Sequence, residues 1–102
     1  MQAILFDQPG EPEVMYLGEA AAPPCGPDEV RILVRATAVN RADTMQRRGL
    51  YPPPPGASTL LGLEAAGEIS ELGSALTPAT SHLRVGQRVM ALLAGGGYAE
   101  QV

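Results

Sequence analysis

Residues 49–59 read GLYPPPPGAST, four prolines in a row behind a single tyrosine. Proline holds φ at about −65° and has no backbone N–H to donate. The run Pro52 to Pro55 therefore lies neither inside a helix nor in a central strand, and its natural form is a stiff polyproline II segment. Whatever this chain builds must be completed on the two sides of that run. The run itself can be a linker, a ligand for a partner domain, or a rigid arm that holds Tyr51 in one place. The flanking sequence decides between them.

On the N-terminal side, QAILF (2–6) has strand length, DQPGEPE (7–13) is turn chemistry, and VMYLGEA (14–20) can pair back on the first strand. After the break AAPPCGPDE, the segment EVRILVRATAVN (29–40) puts Val30, Ile32, Val34, Ala36 and Ala38 on one face. Arg31, Leu33, Arg35 and Thr37 fall on the other, which is the strongest strand signal in the chain. NRADTMQRRG (40–49) changes period: Asn40 can cap, Ala42, Met45 and Gln46 follow at helical spacing, and Gly49 can end a short helix. Beyond the prolines, LGLEAAGEISELG (61–73) and VGQRVMALLAGGGYAEQV (85–102) read as strand pairs punctuated by glycine, with Gly62 and Gly67 at close-approach or bulge positions. SALTPATSHLR (74–84) reads as a surface loop.

Short strands at turn-rich spacing with one small helix predict a mainly β fold, a barrel or a sandwich. A chain of 102 residues is one domain. Aromatics are only 4% of it, so the core must come from Val, Leu, Ile, Ala and Met.

Charge narrows the function. Net charge is −4, and all seven basic residues are arginine, too few for a phosphate-binding stripe, so nucleic acid is not an expected partner. Arg41, Arg47 and Arg48 cluster, and a solvated helix face explains them better than an anion site. The single cysteine, Cys25, excludes an internal disulfide and reads as an incidental thiol. No signal peptide or membrane span is legible, which makes the cytoplasm the default compartment and excludes a membrane partner.

Taken together, VNRADTMQRRGLYPPPPGAS, LGLEAAGEI, GQRVMALL and GGGYAE resemble the medium-chain dehydrogenase/reductase superfamily. Within it, they are most similar to the zinc-free quinone oxidoreductases of the p53-inducible type. The resemblance runs over residues 1–102 and implies a GroES-like, partly open β-barrel with one or two short helices. Such a barrel is the substrate-side domain of a two-domain enzyme that moves hydride from NADPH to a quinone or enone. The Rossmann half that binds the cofactor has no counterpart here, since no Gly-x-Gly-x-x-Gly and no βαβ alternation occur. The expected object is then a fragment, inactive alone, that exposes apolar surface and forms a homodimer.

Zinc relatives in the superfamily carry a cysteine at the start of the short helix and a histidine in a later Gly-His-Glu. Here those places hold Asn40 and Leu63, neither of which can replace a thiolate or an imidazole, so no zinc is expected. His82 stands alone in a loop.

Without a metal, a hydrogen-bond donor must meet the oxyanion as hydride arrives. Tyr51 is the catalytic candidate: its phenol is a donor and a proton source, and the prolines hold it at low entropic cost. The plainer reading is an aromatic that packs in a proline-rich loop. Asn40 needs no explanation beyond a helix N-cap, and Asp43 none beyond a first-turn acid favoured by the helix dipole. The resemblance implies that both also line the cleft near the nicotinamide. Met45 replaces a second tyrosine of some bacterial relatives. Glu64 is expected in a salt bridge to an arginine at the core edge.

Two other classes compete. A stand-alone assembly module would dock a partner through the proline arm, but such ligands are flanked by disordered sequence, and LLGLEAAGEI follows within a few residues. A chaperonin cofactor would need a long mobile loop, for which there is no candidate.

Overall fold

A computed structural model describes all 102 residues. Five strands and one helix follow in the order β1 (Gln2–Leu5), β2 (Tyr16–Glu19), β3 (Val30–Thr37), α1 (Arg41–Arg47), β4 (Glu64–Leu72) and β5 (Arg88–Leu92). A 3₁₀ turn at Pro12–Val14, which the sequence reading had only as turn chemistry, precedes β2. Every pairing is antiparallel: β1 with β2 in one sheet, and β3–β4–β5 in the other.

The chain's last residues join the two sheets. The Ile4 N–H donates to the Tyr98 carbonyl at 2.8 Å and the Glu100 N–H to the Gln2 carbonyl at 3.1 Å. On the opposite side, the Val34 N–H donates to the Glu100 carbonyl at 2.8 Å, and Val102 and Ile32 exchange bonds at 3.0 and 2.6 Å. The result is one curved surface, β2–β1–seam–β3–β4–β5, whose outer strands β2 and β5 do not meet. It is the partly open barrel expected.

Ala3, Ile32, Leu61, Ala65 and Ile69 form the buried core, with Ile32 directly opposite Ile69. The alternation read along β3 holds at Ile32 and fails beyond Val34. A register shift between Val34 and Ala36 releases the pattern, and Ala36 and Thr37 are exposed. Gly67 sits at this bulge because a Cβ there would collide with the Leu33 carbonyl.

Helix α1 ends as its sequence predicts. Gly49 adopts φ +79, and the Leu50 N–H closes on the Met45 carbonyl at 2.8 Å. The arginine cluster is not one solvated face. Arg47 is 9% exposed, and its Nε donates to the Gly10 carbonyl at 3.1 Å, pinning the loop before β2 to the helix. Arg48 turns instead to Glu11 at 3.8 Å. The proline arm is anchored where it ends: the Ala57 N–H closes a turn on the Pro54 carbonyl at 3.0 Å, with Gly56 at φ +82, and Gln46 Nε2 donates to the Thr59 carbonyl at 3.2 Å. No helix is long and apolar enough to cross a membrane.

Candidate active site

Asp43 organises the site. The third residue of α1 is only 2% exposed, and a carboxylate so buried needs donors. It has three. The Asn40 N–H reaches Oδ2 at 2.9 Å, closing a capping box; the Gly62 N–H reaches Oδ1 at 2.9 Å; and the Tyr98 hydroxyl donates to Oδ2 at 3.2 Å. Two of these donors come from outside the helix, so one side chain ties α1 to the segment before β4 and to the seam.

Glycines make that junction fit. Segment 60–62 runs against 96–98, with the Gly97 N–H on the Gly62 carbonyl at 3.1 Å and the Tyr98 N–H on the Leu61 carbonyl at 2.9 Å. Gly62 has φ +107, and a Cβ on it would lie 2.5 Å from Gly97 Cα. A side chain at either place would push Tyr98 away from Asp43.

Tyr98 is held in its neutral form. Burial first, then the Asp43 charge and the hydrogen bond to it, push its phenol up to about 12. Below pH 10 both folded and unfolded chains keep this proton, and the full contribution to stability is present. As pH rises from 10 to 12 the unfolded chain ionises first, so the contribution fades. The stability advantage of wild type over Tyr98→Phe in urea melts should therefore shrink across that window. An advantage that stays constant through it would show that Tyr98 is not coupled to Asp43.

Asn40, with extended backbone before the helix, donates from its side-chain Nδ2 to Glu64 Oε2 at 3.0 Å. Glu64 is therefore not in the arginine salt bridge expected of it: it is exposed at the start of β4 and takes part in none of the ion pairs. The neighbouring arginines are already taken, Arg31 by Glu71 and Arg35 by Glu68 at 3.3 Å.

Two shallow grooves meet beside this cluster. One, of about 510 Å³, is lined by Ile4, Leu17, Val34, Thr37, Val39 and Tyr98 among others. The other, of about 370 Å³, includes Thr37, Glu64, Ala66, Met90 and Leu92. Together they form an apolar strip, in which Val39 is 76% and Met90 86% exposed. Asn40 and Asp43 are thus brought together, while Tyr51 is not joined to them. It follows the C-terminal end of α1 and is 43% exposed; like Asn40 and Asp43 it lines neither groove, but unlike them it has no bond to a groove-lining residue. The residues that sequence reasoning missed are Tyr98 and the Asn40–Glu64 pair. The glycine run before Tyr98 was the available signal, since consecutive glycines mark a close backbone approach.

Comparison with known proteins gives a consistent picture. Residues 26–102 match the alcohol dehydrogenase GroES-like domain. A quinone oxidoreductase of Pseudomonas aeruginosa is 42% identical over 86 residues, 84% of this chain and 25% of that protein. A pikromycin polyketide synthase component of Streptomyces venezuelae is 40% identical over 87 residues, 85% of this chain but 2% of its own length. Among solved structures, a mycobacterial protein complexed with NADPH superposes with a TM-score of 0.85 at 34% identity, covering 99% of this chain and 30% of that one. The chain thus spans a quarter or less of the curated relatives described.

Proposed function

Because the chain belongs to the alcohol dehydrogenase GroES-like domain family, we propose that it forms the substrate side of a zinc-free, NADPH-dependent reductase of quinones or enones. The observation that carries this reading is the helix N-terminus at the apolar strip. Asn40 sits just behind the strip: its backbone is fixed by Asp43, its amide bonds Glu64, which lines one groove, and its chain neighbour Val39 lines the other.

The donor set supports the absence of zinc. Nowhere do three His, Cys, Asp or Glu side chains gather, and both Asp43 oxygens are taken by N–H and O–H donors. Asn40 and Leu63 offer an amide and a hydrocarbon in place of a thiolate and an imidazole.

NADPH supplies a hydride when bound. For its pyrophosphate this chain offers little: all strand pairings are antiparallel, and the one helix follows β3 without a glycine-rich turn. In this reading Asn40 faces the nicotinamide, and Asp43, itself out of reach, keeps Asn40 in register. Tyr51 stands apart from the strip, past the C-terminal end of α1, and would donate its phenolic hydrogen bond to a substrate carbonyl that extends beyond the strip toward the proline arm.

Isothermal titration of the 102-residue chain with NADPH is expected to show no binding in the micromolar range. A saturable micromolar signal would mean that these residues hold the cofactor by themselves, and the division of labour proposed above would fall.

A further inference from the structure

Glu64 is a carboxylate without a cation. The other two glutamates of β4, Glu68 and Glu71, each pair with an arginine of β3, and Glu64 alone is spent on a neutral amide. Its place is nonetheless fixed. It pairs with Leu92 across β4 and β5, and its carbonyl accepts the Thr37 hydroxyl at 2.7 Å. A carboxylate mounted on such a rigid base is a good reference point for whatever touches it.

What touches it is Asn40. A primary amide has two edges of opposite character, one donating and one accepting, and a half-turn exchanges them at little cost. An ionised carboxylate only accepts, so it holds the NH₂ edge toward β4. Asn40 also cannot drift along the chain, because Asp43 holds its N–H. We infer that Glu64 is a positioning residue, which selects the orientation in which Asn40 presents its amide to the ligand at the apolar strip. The inference rests on the reading that Asn40 faces the nicotinamide.

The test has two arms. In the 102-residue chain, the Asn40 side-chain NH₂ is read by ¹⁵N–¹H NMR in wild type, Glu64→Ala and Glu64→Gln. Wild type should show a dispersed, slowly exchanging pair of protons. Glu64→Ala should move them to exposed-amide values, and Glu64→Gln, whose amide can pair with either edge of Asn40, should place them between the two. In the intact reductase, Glu64→Ala should raise KM for NADPH roughly tenfold, the effect of one charge-assisted hydrogen bond, with kcat little changed. Glu64→Gln should recover only part of that loss, because its amide can pair with either edge of Asn40.

Unchanged Asn40 resonances in Glu64→Ala overturn the inference. So does an unchanged KM in Glu64→Ala when Asn40→Ala impairs NADPH use. Full recovery in Glu64→Gln also overturns it, because an amide at that place does not select one edge of Asn40. If Asn40→Ala itself leaves NADPH use untouched, the placement of Asn40 in the proposed function fails instead.

Discussion

Asp43→Ala is expected to cost the chain a large share of its stability. The substitution deletes the acceptor for three donors and strands the buried Gly62 N–H with no partner. Leaving a buried donor without its acceptor costs about 1–3 kcal/mol, out of a total of roughly 5–15 kcal/mol for a small domain. Asp43→Asn should fall between, since its amide oxygen still accepts while its NH₂ opposes one of the donors. Tyr98→Phe should be mildest, because it removes one donor and leaves the other two in place. Urea melts of the three variants would read this order. An Asp43→Ala chain within about 1 kcal/mol of wild type, less than one charged hydrogen bond is worth, would show that the junction is held by its backbone bonds alone.

Tyr51→Phe should act on the reaction and leave the fold alone. Tyr51 is 43% exposed and lies outside both the core and the Asp43 cluster, so loss of its hydroxyl should leave the urea midpoint where it was. In the proposed full-length reductase kcat should nevertheless fall on the order of a hundred- to a thousandfold, the cost of losing one central oxyanion donor. The pairing of the two measurements is what gives the test its force. A kcat within twofold of wild type would reduce Tyr51 to a packing aromatic at the head of the proline arm.

Much of the fold was legible because its signals are local. The β3 alternation, the Asn40 cap and the Gly49 stop each lie within a few residues of what they control, and each element formed close to its expected place. What escaped depends on pairs far apart in the chain. Arg47 looked like a surface charge until the Gly10 carbonyl came up beside it. Glu64 looked like half of an ion pair, but the nearby arginines of β3 bond to Glu68 and Glu71, and an amide 24 residues away took its place. Tyr98 could not be assigned a partner at all, since its bond to Asp43 spans 55 residues. The outward reach of Val34 to Thr37 was lost for another reason: a bulge shifts the register by one, and no period in the sequence announces it.

The seam has a consequence for the order of events during folding. Gln2 and Glu100 are bonded through both backbone and side chain across a separation of 98 residues. The β1–β2 hairpin is local and can form as soon as it is synthesised, while the β3–β4–β5 sheet must first bring Leu72 back to Val30 across helix α1 and the proline arm. Neither can be joined to the other until residues 98–102 arrive. The chain must therefore wait with two half-surfaces open, and then close its longest loop in one late step. Such non-local closures are slow and expose strand edges while they wait. Translation speed and chaperone access in that interval would bear on how much of this protein reaches its native state.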